Sequence, residues 1–566
     1  LEQHDHCPGQ HDGHDRHVEP AVLAAGDQDR PAFPQARLTW LARLRQPGCS
    51  GWANIRYNFR MQTVLAFLPI LLVVGLMIFL RWKAAQAGAA GWLAGAVIAA
   101  AAFGLTPWVL LVSQLKGLYL SVYVLLVFWP ALLLYQVVDQ AGGIQAVARF
   151  LETTITDRPL LLLGLAWAFS GLLEGLAGFG LPVAIVSPML VGLGVPPVLA
   201  VAAVSVGHSW SVTFGDMGVI FQTLAAVSKT DMAQLAAPAG WLLGFACLAC
   251  GLAAAHLLGF GRRWPVVVLL AVLMAGAQLG LALAGLAPIA SLCAGLVGTL
   301  GCVVFSRLRG KPAAAAAQPG AEALKRPLAA AALLYGGLAL LLVAAAVVPG
   351  LHAWLFSAAV RLPFPAVATR LGFETAGVTQ VFRPLLHPGA AILLAFAAAL
   401  LALPRSGLLS AAKTRAALRG SWQAGLPASL SILVMVGLSA LMEHAGMTQL
   451  LAQSAAGLLG KSFPLASPLV GILGAFATGS NNNSNVLFAP LQQQVALLLA
   501  LDPRLLLAAQ TLGGSLGSML APAKIVVGCS TVGILNRQGE VLKRTLTYGI
   551  ALGILAGLLV SLLALA

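Results

Sequence analysis

Long apolar runs recur along the chain, at 61–80, 118–138, 264–286, 328–348 and 545–566. Each has about the 20 residues that a helix needs to cross a bilayer core. A window reading predicts about 12 to 14 such spans. Two polar, glycine-rich interruptions break this pattern. The first is GLLEGLAGFGLPVAIVSPMLVGLG at 171–194, followed by VGHSWSVTFGDMG at 206–218. The second is ATGSNNNSNVLF at 477–488, followed by TLGGSLGSMLAPAK at 511–524. Glycine, serine, asparagine and proline free backbone groups that lipid cannot satisfy. Such backbone persists at membrane depth only when buried in protein or lining a watery cavity. The pattern therefore predicts an all-α polytopic membrane protein with inverted repeats, each carrying broken helices or re-entrant hairpins, and a site between the repeats.

Composition supports the class. Of 566 residues, 59% are hydrophobic and 9% charged, against about a quarter charged in soluble domains. The net charge of +15 does not imply a nucleic-acid partner, because the Lys and Arg residues fall in loops, where they fix orientation. The clusters are Arg81 and Lys83; Arg149 and Arg158; Arg262 and Arg263; Arg307, Arg309, Lys311, Lys325 and Arg326; and Arg405, Lys413, Arg415 and Arg419. Placing them in the cytoplasm puts residue 61 and the loop 350–387 outside. Loop 139–159, which leads into the first interruption, is then inside. Loop 444–465, which leads into the second, is outside. The loop around Lys229 and Asp231 is outside, and the segment with Arg537, Lys543 and Arg544 is inside. The two units thus run in opposite directions.

The expected organisation is an N-terminal transmembrane half at 61–309, a cytoplasmic linker at 310–327 and a C-terminal transmembrane half at 328–566. Residues 1–60 differ from the rest and hold five of the ten histidines within HDHCPGQHDGHDRH. They read as a disordered extension or a gene-start artefact ahead of Met61, with a metal-binding tail as the alternative. The seven cysteines are scattered, and the Cys247–Cys250 pair lies in an apolar helix, where cysteine acts as a small hydrophobe.

At EGLAGFGLPVAI (174–185), at the Gly-Ser-Asn stretch 479–485 with VLFAPLQ after it, and near 513–544, the chain resembles the lactate permease family of bacterial secondary transporters. The resemblance covers most of 61–566. It implies uptake of lactate and glycolate with protons across a bacterial inner membrane. This chain departs from the family pattern at His208, Ser209 and Trp210. It departs again in its extra asparagines at 481–483, and in Ala521-Pro522-Ala523-Lys524, where the family's glutamine is lost and a lysine appears.

Several residues can carry chemistry. Glu174 sits at membrane depth among apolar residues, where a carboxylate pairs, protonates or faces water. It reads either as a proton carrier or as a buried structural cap. Gly178 and Gly180 permit tight turns, and Pro182 suits the first turn of a new helix whose N-terminus favours a carboxylate. They read as substrate-binding, with helix packing as the alternative. His208, Ser209, Ser211, Thr213 and Asp216 fall close together, and Ser209, Thr213 and Asp216 share one face if this piece is helical. His208 and Asp216 join Glu174 as candidates for proton coupling. Ser209, Ser211 and Thr213 are candidates for substrate contact. So are Ser480, Asn481, Asn482, Asn483, Ser484 and Asn485, whose amides and hydroxyls suit a carboxylate and a 2-hydroxyl. Lys524 can attract the substrate carboxylate, pair with Glu174 or Asp216, or snorkel to the surface.

The expected function is secondary import of a small organic anion, a 2-hydroxy monocarboxylate, with the proton as coupling ion and no cofactor or metal. The chain contains no phosphate-binding G-x-x-x-x-G-K-[ST] motif to supply ATP drive. Two alternatives stand beside it. One is sodium-coupled transport of another organic anion. The other is an integral-membrane enzyme built on His208, Ser209 and Asp216, although no H-E-x-x-H pair is present.

Overall fold

A computed structural model of the chain describes residues 52–178, 180–309 and 321–565. Fourteen helical segments are long and apolar enough to cross a membrane, so the expected all-α polytopic class holds. The extension read at 1–60 lies outside the described residues up to residue 51, and the helix Trp52–Ile78 begins ahead of Met61. Residues 310–320 of the linker also lie outside them, and the helix Ala321–Val347 begins within the linker's last part.

Two sets of elements follow the same order. The first set is the helix Pro107–Gln140, the short helix Gly143–Thr154, a hairpin, a broken helix, and the helix Met232–Leu257. The second is Ala411–His444, Met447–Leu459, a hairpin, a broken helix, and Gln538–Leu565. The opening helices are each 34 residues long, and each ends on a left-handed glycine, Gly142 (φ 84°) or Gly446 (φ 80°), that turns the chain into the short helix. The first hairpin runs up through Arg158–Leu176, with a π-helical stretch at Gly164–Phe169, and back through Leu181–Gly192. The second runs through Phe463–Thr478 and Asn481–Leu498. The broken helices are Pro197–Gly207 with Val219–Ser228, and Pro503–Gly517 with Pro522–Thr531.

Local sequence explains the starts. Asp157 accepts a bond from Leu160 N with Pro159 in the first turn, and Asp502 accepts from Arg504 N with Pro503 there. Both are aspartate caps followed by a proline that needs no donor. The arms of the first hairpin begin and end together, because an Arg158 guanidinium nitrogen donates to Leu193 O at 2.6 Å. In the second, Gln492 Nε2 donates to Ser467 O at 3.0 Å. Both hairpins therefore enter and return on one face. With two re-entrant hairpins, the first unit opens on an odd crossing and the second on an even one, which makes the repeats inverted.

Contacts bring the loops together at two ends of the bundle. Arg263 pairs with Asp157 at 3.2 Å at one. At the other, Lys229 pairs with Glu443, and Arg370 N donates to Gly104 O at 2.9 Å.

Burial separates a scaffold from a core. In the most apolar 18-residue stretches of Arg158–Leu176 and Pro197–Ser228, 94% of residues are buried, against 22% in Met61–Ile78. The hairpin and broken helix thus run inside the protein, and the first span faces lipid. Glycine sets two close approaches. A Cβ on Gly207 would strike Ala166 O of the first hairpin, and a Cβ on Gly513 would strike Pro468 O of the second. The same contact occurs once in each repeat. The loop 350–387 differs from expectation. It folds into two antiparallel ladders, Val360–Phe364 with Val378–Phe382 and Val367–Ala368 with Glu374–Thr375. Phe364 and Phe382 lie against Tyr119 and Tyr123 at ring separations of 6.0 Å, which gives the outer ladder an apolar anchor.

Candidate functional site

The tips of both hairpins meet the start of the helix Pro522–Thr531. At the first tip the chain leaves the helix Ser170–Leu176 through an extended Ala177 and restarts after Gly180 at φ 84°. Gly178 lies between two carboxylates. Its N–H donates to Asp216 Oδ1, and an added Cβ would sit 2.7 Å from Glu174 Oε1 and 2.8 Å from Asp216 Oδ1. Only glycine fits there. A Cβ on Gly180 would lie 3.5 Å from Lys524 Cγ, and one on Gly479, at the second tip, 3.8 Å from Ala523 Cβ.

Glu174 is 1% exposed. Its Oε1 accepts from Lys524 Nζ at 3.2 Å, and its Oε2 lies 3.9 Å from His208 Nε2. His208 Nδ1 is 2.7 Å from Val204 O. A carbonyl only accepts, so Nδ1 carries hydrogen and the neutral ring turns a bare Nε2 toward Glu174. Neither Nε2 nor Oε2 has another hydrogen-bond partner. Two facing acceptors in a buried site leave a place for one proton. The loop holding Asp216 is bent: Asp216 and Met217 both have left-handed backbone, φ 50° and 53°. That conformation costs on the order of 1–3 kcal/mol per residue, and it aims the carboxylate at the hairpin tip. Two buried carboxylates, Glu174 and Asp216, thus flank Gly178, and Lys524 pairs with Glu174.

The expected helical face of Ser209, Thr213 and Asp216 does not form, because the helix Pro197–Gly207 ends before it. Ser209 Oγ donates to Ser205 O at 2.8 Å and Ser211 Oγ to His208 O at 2.7 Å. The Thr213 hydroxyl reaches the second repeat, where its Oγ1 is 3.0 Å from Thr511 Oγ1, and Ser209 meets that repeat through its carbonyl, which accepts from Ser515 Oγ at 2.7 Å.

At the second tip, Asn481 Nδ2 donates to Thr213 Oγ1 at 3.1 Å and Asn485 Nδ2 to Thr511 Oγ1 at 3.0 Å. Asn483 Nδ2 donates to Ser431 Oγ at 3.0 Å, and Ser484 Oγ to Gly471 O at 2.8 Å. These two side chains hold helices together. The amide of Asn482 and the Oδ1 atoms of Asn481 and Asn485 have no partner although buried. Ser480 is half-buried at the tip. Sequence reasoning missed Thr511, Gln510 and Ser431. Gln510 Nε2 donates to Ser484 Oγ at 3.0 Å, and its Oε1 accepts from Gln492 at 2.6 Å. Their polarity inside apolar helices was the only signal. Among the described residues no three His, Cys, Asp or Glu side chains are grouped to hold a metal.

Inverted repeats, paired hairpin tips and a buried polar centre define a multi-pass membrane transport protein. The sequence profile of the L-lactate permease family matches residues 62–566, and the chain belongs to that family. It is similar to the glycolate permease of Escherichia coli K12, at 26% identity over 88% of this chain and 95% of that one. It is similar at 27% to the L-lactate permease of Streptococcus iniae, over 78% and 92%, and to that of Bacillus subtilis, over 88% and 94%. It is a plasma-membrane protein.

Proposed function

We propose that the chain imports a small 2-hydroxy monocarboxylate, L-lactate, D-lactate or glycolate, together with protons, and that it is a carrier rather than an enzyme. The names of the relatives support the substrate class. The observation that carries the coupling is the pairing of Lys524 with Glu174, in a buried site that also holds Asp216. Buried charges must be balanced. An arriving carboxylate competes for Lys524, and Glu174 then takes a proton, for which His208 Nε2 offers the adjoining position. One anion therefore enters with one proton, and the site keeps its net charge. The unpartnered amide of Asn482 and the unpartnered Oδ1 atoms of Asn481 and Asn485 suit the substrate's 2-hydroxyl. One repeat unit moving against the other exposes the site alternately.

The unpartnered Oδ1 atoms of Asn481 and Asn485 also suit a hard cation, which keeps sodium coupling as a second reading. Uptake of labelled L-lactate and glycolate into proteoliposomes tests both. The proton reading expects accumulation driven by an imposed pH gradient with sodium absent. Accumulation that needs sodium and ignores the pH gradient would replace it.

A further inference from the structure

A second charged cluster lies at the far end of the helix Ala411–His444. Lys229, at the left-handed end of the helix Val219–Ser228, pairs with Glu443. Lys116, on the helix Pro107–Gln140, is 2% exposed and close enough to Glu443 and Lys229 to feel both charges. Among the described residues it makes no ion pair of its own. His444 is equally buried, with Nδ1 2.7 Å from Ala440 O. One carboxylate therefore faces two lysines. Lys229 and Glu443 are partly exposed and already paired, whereas Lys116 is a buried cation without a counter-ion of its own, which is costly unless an anion joins it.

The internal repeat provides a control. The residue matching Glu443 is Asp139, three positions before the left-handed Gly142 as Glu443 is before Gly446. Among the described residues Asp139 makes no ion pair with a lysine. Gln145 Nε2 donates to its Oδ1 at 2.8 Å, and its charged neighbourhood holds Tyr135 and Tyr335. Repeat architecture does not require the lysines; they mark one face only. On that face Gln493 of the second hairpin donates to Thr230 at 3.3 Å, beside Lys229. The cluster therefore adjoins the second hairpin and lies on the face assigned to the outside.

We propose that Lys116 and Lys229 form a vestibule site for a small carboxylate anion on the Lys229 face, separate from the central Glu174–Lys524 site. This rests on the reading of the protein as a carboxylate carrier. An anion entering there takes up the excess charge that Glu443 leaves unbalanced, and is concentrated before the hairpin tip admits it.

Two measurements on the full-length protein test this. In oriented proteoliposomes, Lys116→Met is expected to raise KM for L-lactate presented on the Lys229 face about tenfold, the loss of one charge-assisted hydrogen bond. KM from the opposite face and maximal exchange stay within twofold. Equal KM changes on both faces, or none, would overturn the proposal. The second measurement is maleimide labelling of Thr230→Cys, with acetate as probe and chloride as control. Acetate is expected to slow labelling, and Lys116→Met or Lys229→Gln to abolish that protection. Protection that survives both substitutions overturns the site. Lys229 is half-exposed, so its variant remains informative if Lys116→Met does not fold. Protection by acetate without any lactate transport would instead reject the substrate reading and leave the vestibule standing.

Discussion

Lys524 Nζ lies 3.2 Å from Glu174 Oε1, although 350 positions separate them in the chain. One belongs to the tip of the first hairpin and the other to the second arm of the opposite repeat's broken helix. The contact therefore closes the interface across which a carrier of this architecture must move. Both side chains are at most 10% exposed. A salt bridge at such a place holds the two units together only while no competing anion or proton is present.

Removing one partner should cost more than removing both. Lys524→Met leaves a buried carboxylate unpaired, for which a loss of about 3–5 kcal/mol is expected. Glu174→Gln combined with Lys524→Met should recover most of that loss. Thermal unfolding of the four proteins in detergent, analysed as a double-mutant cycle, gives the coupling. Additive losses would mean that the pair does not interact.

The two close approaches of hairpin and broken helix should be equally intolerant. Gly207→Ala and Gly513→Ala each put a methyl group against a backbone carbonyl, which should cost about 1–3 kcal/mol. Gly336→Ala, with nothing within 4 Å, should stay within about 0.5 kcal/mol of the parent. A difference between the first two variants would show that the repeats pack differently.

Much of this was legible in the chain. The broken apolar pattern at 171–194 and 477–524 placed both hairpins, and charge in the loops placed their opposite directions. Glu174 and Lys524 each stood out as charges in apolar surroundings, and their pairing was one of several open options. What sequence could not show was where hydroxyls spend their hydrogen bonds. Ser209 and Ser211 turn back onto carbonyls three or four residues earlier, a choice that spacing cannot distinguish from a ligand contact. Lys116 gives no signal in the sequence, because its neighbours come from segments more than a hundred residues away. The ladders at 360–382 escaped because their strands are short and mostly exposed.

Acid should loosen the outer ladder. His387 caps the helix Pro388–Arg405 and packs 4.6 Å from the Tyr123 ring. Burial lowers its pKa to about 4, against a smaller opposing effect of its bond with the Tyr123 backbone. A histidine with a lowered folded pKa favours its neutral form. Its contribution is present above the unfolded value of about 6.5 and is lost as pH falls from there toward 4. The loss amounts to about 3 kcal/mol at most. Unfolding temperature measured from pH 7.5 to 4 should therefore fall less steeply for His387→Gln than for the parent. Parallel curves would remove His387 from the acid response.

Re-entrant hairpins make a sidedness prediction. Cysteines placed at Arg158 and Gly194 should react with an impermeant maleimide from one face, and cysteines at Lys461 and Ala500 from the other. Reaction of Arg158→Cys and Gly194→Cys from opposite faces would make the first hairpin a full crossing and remove the inversion of the repeats.

The proton assignment is tested at Glu174 itself. Gln keeps the size of Glu174 and its hydrogen bonding but cannot release a proton. Glu174→Gln should abolish L-lactate accumulation driven by a pH gradient, by at least about a hundredfold if the neutral side chain blocks net coupling. Exchange of internal for external lactate should persist, because exchange needs no net proton movement and Lys524, freed from its carboxylate, still meets the anion. A purely structural glutamate predicts a different pair of results: both activities retained, or both lost with the fold. Since His208 Nε2 faces the same oxygen at 3.9 Å, His208→Gln should weaken gradient-driven uptake less than Glu174→Gln does. If Glu174→Gln accumulates lactate as the parent does, the coupling proton resides on His208 or Asp216, and the same two assays on His208→Gln and Asp216→Asn decide between them.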